Sequence, residues 1–267
     1  MPNVGAMHWS LDTLDSVSLW RPSEPPLGAI VAATTRLGGV SAAPFEALNL
    51  DKSTSDDPSA VEENRRRVLA ALGIPDGRLA TAGQVHGTRV TEVHTPGLHV
   101  ETDALVTRER GLALAVSGAD CLPLLAVAPG AVAAAHSGWR GTALGMPAEV
   151  VRALLALSKA SPIDVRVYLG PCIGSCCYHV GEDVAARFPA EAVIRDDAGI
   201  RVDLAGAARR QVEALGVPRA AIVDPPACTS HHPEWCYSHR RDHGRTGRLW
   251  GVVALDPDAR LRRDGAV

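Results

Sequence analysis

Cys121-Leu122-Pro123-Leu124-Leu125-Ala126-Val127-Ala128-Pro129-Gly130-Ala131-Val132-Ala133-Ala134-Ala135-His136 is the stretch whose folding can be worked out first. Two short apolar runs, 122–128 and 131–135, flank Pro129-Gly130, and two such runs around a two-residue breaker signal a β-hairpin. With Pro129 and Gly130 as the loop, Ala128 pairs with Ala131 and Cys121 falls opposite Gly138. Opposed residues share a face, as do residues two apart along a strand. His136 therefore lies on the face of Cys121, on the diagonal, with Cα atoms roughly 7–8 Å apart. A slip of one residue would put the two on opposite faces.

A thiol and an imidazole on one face can reach a common ion between them. A third donor, His86, stands in the motif-like stretch Gln84-Val85-His86-Gly87. Two imidazoles and one thiolate form an incomplete tetrahedral shell, and a zinc site with three protein ligands keeps a position open for a reactant. The ordinary reading of such residues is plainer: a Cys in an apolar run is a small buried hydrophobe, and a His after an Ala run is a hydrogen-bonded core residue. The hairpin and the glycines near each donor bring the metal reading level with it.

At 267 residues the chain buries a substantial core, and with no Gly/Ser linker, low-complexity tract or internal repeat, 1–267 is expected to be one domain. A net charge of −3 argues against electrostatic binding of nucleic acid. No apolar run approaches the length of a membrane span. The start, Met1 to His8, carries no basic stretch leading into an apolar run, so a cytoplasmic location is expected. Six cysteines then imply reduced thiols. Cys172, Cys176 and Cys177 form C-x-x-x-C-C, with no C-x-x-C pair for a zinc ribbon, and read as buried small residues ahead of a second metal site.

Elsewhere the pattern is mixed. Residues 29–35 form a β-like run ending in the turn Arg36-Leu37-Gly38-Gly39. Asp57 as N-cap and Pro58 at the first position open a helix whose face is Val61, Arg65, Val68, Leu69 and Leu72, closed by Gly73 and Pro75. Further helices are expected over 150–157 and 204–215. Strands are expected over 79–86, 88–94, 104–107, 112–117, 165–169, 220–223 and 249–255. Strands often follow one another directly, so the expected class is α+β, with mixed sheets and outer helices.

Walker, G-x-G-x-x-G, H-E-x-x-H and G-x-S-x-G motifs are absent, as is the zinc-deaminase signature. Three arginine-bearing segments remain. His136-Ser137-Gly138-Trp139-Arg140-Gly141 leads towards a helix, with small residues that let backbone N–H groups approach an anion. The others are Thr34 to Gly39, with Arg36, and Ser238-His239-Arg240-Arg241-Asp242 with Arg245 and Arg248. Guanidinium forks hold phosphate at two points, although for each segment alone a solvated basic loop is the simpler reading.

Taken in order, eight segments resemble the laccase-domain, YfiH-like family of purine nucleoside phosphorylases. They are Thr35 to Ser41, Leu48-Asn49-Leu50, Glu62-Glu63-Asn64-Arg65, Gln84 to Gly87, Ala119 to Pro123, His136 to Gly141, Gly170-Pro171-Cys172-Ile173-Gly174 and Ser238 to Asp242. The resemblance runs from about Ile30 to the strand near Leu255. It implies zinc ligation by His86, Cys121 and His136, and phosphorolysis of adenosine, inosine, guanosine and methylthioadenosine, with adenosine deamination. Two departures bear on substrate preference: His179 stands where the family has Glu, and the loop Thr229 to Tyr237 looks individual.

On this reading the ligands are a nucleoside and phosphate, and the cofactor is Zn2+, with Cu2+ as an alternative. Cleaving an N-glycosidic bond builds positive charge on the sugar, and Arg36, Arg140 or Arg241 with the metal would position the phosphate. For deamination the metal would lower the pKa of water to about 7, with Cys121 and His136 at the reacting centre and Asp120 as a possible proton carrier. Two other chemistries use the same residues. Copper polyphenol oxidation would want an axial Met, and only Met1, Met7 and Met146 exist, with no H-x-H pair. A Cys121 nucleophile with His136 as base would make an amide hydrolase, acting for example on a cell-wall precursor. Oligomeric state is not legible.

Overall fold

The hairpin forms in the expected register. Ala128 faces Ala131, and the pairing runs on to His136 opposite Pro123 and Ser137 opposite Leu122. The computed structural model describes residues 7–24, 26 and 28–256; Met1 and the rest of the first six residues lie outside them. The hairpin strands Leu122–Ala128 and Ala131–Ser137 are the centre of a six-stranded sheet. Its order is Ile222–Val223, Arg166–Leu169, Leu122–Ala128, Ala131–Ser137, Ala104–Thr107, Val90–Glu92.

A seven-stranded sheet lies against it, in the order Trp9–Leu14, Val17–Pro22, Ala29–Thr34, Leu249–Leu255, Ala113–Gly118, Leu79–Ala82, Gly97–His99. Each sheet is mixed. Leu79–Ala82 runs parallel to both its neighbours, whereas Leu249–Leu255 is antiparallel to both of its own. The alternation of side chains explains the layering. Leu125, Val127, Val132 and Ala134 point to one face of the hairpin and pack with Val31, Leu114, Val116 and Val253 of the other sheet. The even-numbered Leu124 and Ala126, with Ala133 and Ala135, face away and are covered by Val150, Val151 and Leu154 of the helix Met146–Ser158 and by Ala208 and Val212 of Leu204–Glu213. Val68, Leu69 and Leu72, from and just beyond the helix Pro58–Ala71, cover the outer face of the seven-stranded sheet. The result is helix, sheet, sheet, helix: α+β with mixed sheets and outer helices, as expected. Strands in such a stack are buried on both faces, which is why the hairpin reads as continuous apolar runs.

Asp57 caps the helix Pro58–Ala71, its Oδ1 accepting from the Ser59 N–H at 2.8 Å. The segment 79–86 shrinks to Leu79–Ala82, because Gln84 and His86 take positive φ, 55° and 63°, which no strand accommodates, and 88–94 shrinks to Val90–Glu92. Features not expected include the N-terminal hairpin Trp9–Leu14 with Val17–Pro22, the strand Gly97–His99, the short helix Glu182–Ala185, and the small hairpin Val193–Asp196 with Gly199–Val202. Among the described residues, no helix is long and apolar enough to cross a membrane.

Candidate metal centre

His86, Cys121 and His136 converge at one end of the seam between the two sheets, their donor atoms all within 4.8 Å of one another. The register of the ladder accounts for two of the three. Extending the pairing of Ala131–Ser137 past its end puts Gly138 opposite Cys121, as the hairpin required. A Cβ on Gly138 would lie 2.9 Å from the Cys121 Sγ and 3.2 Å from the His86 Cδ2. Only glycine leaves the donors that space. Its φ of −70° is open to any residue, so the requirement is room and not backbone freedom.

On its other side Ala131–Ser137 pairs with Ala104–Thr107, Ala135 opposite Ala104. The next step brings Asp103 beside His136, and the His136 N–H donates to the Asp103 carbonyl at 2.8 Å. The Asp103 side chain is fully buried. Its Oδ1 accepts from His136 Nδ1 at 2.9 Å and from the His86 N–H at 2.9 Å. Its Oδ2 accepts from the N–H groups of Val85 at 3.1 Å and Gly87 at 2.8 Å. Three successive backbone amides thus wrap one carboxylate, a nest that the positive φ values of Gln84 and His86 make possible. Gln84 fixes the loop from the other sheet: Nε2 donates to the Ser117 carbonyl and Oε1 accepts from the Ser117 N–H. Both sheets therefore hold the His86 loop. Asp103 was missed by sequence reasoning, its only trace being an acid directly ahead of the apolar run 104–107.

The electrostatics follow from this packing. Burial pushes the Cys121 thiol up, but hydrogen bonds to His136 and His86, and their charges, outweigh it and bring it down to about 6. Burial pushes His136 down; its bonds to Asp103 and Cys121 win, raising it to about 9. Burial likewise raises Asp103, while His136 and the amides of Gly87 and His86 pull it below the usual carboxylate range. These shifts favour a thiolate–imidazolium pair backed by a carboxylate. The His136 rings and His86 rings meet edge to face, with centroids 4.8 Å apart. With Nδ1 bound to Asp103, His136 presents Nε2 on its free side. A carboxylate behind a histidine is the usual outer support of a metal ligand. One thiolate and two imidazoles suit zinc or copper, so the residues fit such an ion.

The donors open into a cavity of about 1190 Å³. Beyond them Gln84, Trp139, Arg140, Tyr178, His239 and Arg240 line it. The arginines sort differently from expectation. Arg140, at the start of the helix Trp139–Ala143, rests over the Trp139 ring at 4.7 Å, and among the described residues no acceptor engages its guanidinium. Arg36 does not line the cavity: it donates to the carbonyls of Glu46 and Pro233 and sits over the Tyr237 ring. Arg241 does not line it either, its guanidinium being taken up by Asp242 and by the carbonyls of Thr229 and Cys236. Its neighbour Arg240 reaches the cavity instead, steadied by the His179 carbonyl at 2.7 Å and the Tyr178 ring.

Asp120 is next to Cys121 and lines the cavity, but both carboxylate oxygens are engaged. Oδ1 accepts from Thr229 Oγ1 at 2.6 Å and Oδ2 from the Arg240 N–H at 2.7 Å. It ties the 228–241 segment to the centre. His179 does not line the cavity, and neither does the loop Thr229 to Tyr237. The two departures from the family pattern therefore lie behind the cavity wall. Met7 lies against the Arg166 guanidinium and Met146 is in the core, packed under the helices. Of Cys172, Cys176 and Cys177, the first is buried as expected, whereas Cys177 is half-buried and Cys176 exposed.

Comparison with known proteins agrees with this architecture. A purine nucleoside phosphorylase of Deinococcus radiodurans is 42% identical over 247 residues, covering 90% of this chain and 93% of that protein. The purine nucleoside phosphorylase YlmD of Geobacillus stearothermophilus is 37% identical, covering 87% and 93%. The crystal structure of the hypothetical protein YfiH of Bacillus licheniformis superposes with a TM-score of 0.85 at 31% identity, over 93% of this chain and 99% of that one. Residues 30–256 match the family described as multi-copper polyphenol oxidoreductase laccase, and the chain belongs to that family.

Proposed function

We propose that the protein is a zinc-dependent, cytoplasmic purine nucleoside phosphorylase acting on adenosine, inosine, guanosine and methylthioadenosine, with adenosine deaminase activity. The observation that carries this reading is the placement of His86, Cys121 and His136 at the base of a cavity beside the unengaged guanidinium of Arg140. The names of the relatives support it. A zinc ion held by the three donors would supply fixed positive charge and a water of lowered pKa.

The chain's own residues would do the rest. Arg140, which no acceptor among the described residues occupies, donates to two phosphate oxygens, and Arg240, which also lines the cavity, adds charge. The phosphate then faces a sugar on which positive charge develops as the bond to the base breaks. Asp103 keeps Nδ1 of His136 protonated and so its Nε2 turned to the centre. Asp120 acts as a positioning residue, since its oxygens already hold Thr229 and Arg240. Incubation with phosphate and a panel of nucleosides, with separation of base from sugar phosphate, tests the reading. Wild-type protein should release base only with phosphate present, and Cys121→Ala should abolish release. Unchanged turnover in that variant would defeat the proposal.

One observation favours a second reading. Cys121 brought to about 6, His136 beside it and Asp103 behind it have the roles of a thiol hydrolase. His86 on the same sulfur, and the space Gly138 leaves, favour the ion. A chelator separates the two, because a thiol amide hydrolase survives it. For copper polyphenol oxidation, the groups of three or more potential ligands among the described residues are this one and an all-cysteine one, which supplies no histidine-rich cluster.

A further inference from the structure

Cys176, Cys177 and Cys228 lie on two segments far apart in sequence, yet their sulfurs all fall within 4.8 Å of one another. The Sγ atoms of Cys176 and Cys177 are 3.6 Å apart. Three sulfurs sharing an ion at the usual metal–sulfur length of about 2.3 Å are spaced about 3.8–4.0 Å, so the cluster already has nearly that size. Gly174 completes it. Its N–H donates to the Cys228 Sγ at 3.2 Å, and a Cβ there would come 3.3 Å from the Cys176 Sγ and 3.4 Å from the Cys228 Sγ. Backbone N–H bonds to sulfur stabilise thiolate ligands, as outer partners do at metal sites. Cys176 is exposed, which gives an ion a way in, while Cys177 and Cys228 are half-buried.

We propose that Cys176, Cys177 and Cys228 form a second, all-sulfur site for a soft d10 cation, separate from the His86–Cys121–His136 centre. Three thiolates with no nitrogen or oxygen donor select such ions. Copper(I), which takes three sulfurs, fits better than zinc, whose structural sites close with a fourth ligand. On binding, three S–H protons pass to solvent as three metal–sulfur bonds form, with no change of oxidation state. The ion clips the segment around 172–178 to the segment around 228. Those segments also meet at Asp120, which holds Thr229 through Oδ1 and Ile173 N–H through its carbonyl. They carry Tyr178 and Arg240, two walls of the cavity. The second site is a clasp on the cavity wall.

The test is an anaerobic titration of the reduced, full-length protein against a competing chromophoric chelator, with copper(I) in one arm and zinc(II) in the other. In at least one arm, wild type should take up two ions per chain, and C121A and the double variant C176S/C177S one each. The ion kept by C121A should show a thiolate-to-metal charge-transfer band. A single ion in wild type, with C176S/C177S unchanged from it, overturns the proposal. A readout on wild type alone guards against a variant that fails to fold: bound ion should shield Cys176 and Cys177 from iodoacetamide, seen by peptide mass spectrometry. Equal labelling with and without either ion also overturns it. Nucleoside phosphorolysis is measured separately, so its absence leaves these outcomes readable.

Discussion

Oδ1 of Asp103 receives the Nδ1–H of His136 at 2.9 Å and the backbone N–H of His86 at the same distance. One buried oxygen thereby orients two of the three donors. In Asp103→Asn the amide keeps one acceptor and turns an NH2 towards amides that need an oxygen. Loss of an outer partner of this kind lowers metal affinity about 10–100-fold. The unsatisfied N–H groups of the 85–87 loop cost roughly 1–3 kcal/mol each. Competition with a chromophoric chelator and chemical unfolding measure the two effects. Wild-type affinity in the variant would show that His136 and His86 are placed without Asp103.

Gly138→Ala separates room from backbone. The backbone conformation suits alanine, but the new methyl meets Cys121 Sγ and His86 Cδ2. Overpacking of this size costs about 1–3 kcal/mol, which the fold survives, whereas three converging donors do not tolerate displacement. We expect a folded protein whose metal affinity falls at least about tenfold, 1.4 kcal/mol in binding terms. Calorimetric melting alongside metal titration would show it. A variant that binds like wild type would mean the donors close around an ion from the opposite side.

The centre predicts a proton count. In metal-free protein Cys121 is lowered to about 6 and His136 raised to about 9. Between these values the sulfur is already ionised, while His136 must lose a proton to bind through Nε2. Metal binding near pH 7.5 therefore displaces one proton from this pair, and protons oppose binding. The pair's contribution makes affinity rise with pH through this window and level off above about 9, where His136 is already neutral. Below about 6 the thiol proton competes as well, and the dependence steepens. Calorimetric titration in buffers of different ionisation enthalpy gives the count. Release of no proton by wild-type protein near pH 7.5 would refute the ionisation state assigned here.

The hairpin was legible because its period, its breaker and its length agree: Pro129-Gly130 admits one register, and that register alone puts Cys121 and His136 on one face. Helix Pro58–Ala71 was equally legible, since Asp57 and Pro58 act locally. The His86 loop was not. Its conformation is imposed from outside, by Asp103 and by the grip of Gln84 on Ser117, and neither partner is near His86 in sequence. The arginines failed for the same reason. Arg240 and Arg241 are adjacent, and only the positions of Asp242, Thr229 and Cys236 decide which one is consumed by the scaffold.

That sorting of arginines yields the sharpest contrast among the variants. Arg140 lines the cavity with no acceptor among the described residues, so Arg140→Ala removes ligand contacts and little structure. A charge-assisted hydrogen bond is worth about 1.5–3 kcal/mol, and its loss should lower kcat/KM for phosphate about 10–150-fold with the melting temperature nearly unchanged. Arg140→Lys restores charge but not the planar fork, and recovery should be incomplete. Arg241→Ala should do the reverse. Its guanidinium joins Asp242 to the Thr229 and Cys236 carbonyls, so its loss strands buried partners and lowers stability by about 2–4 kcal/mol. Steady-state kinetics in varied phosphate, beside thermal unfolding, distinguishes the two patterns. If Arg241→Ala proved the kinetic variant and Arg140→Ala the unstable one, the anion would have to bind on the far side of the 228–241 segment, and the cavity assigned to phosphate would be the wrong one.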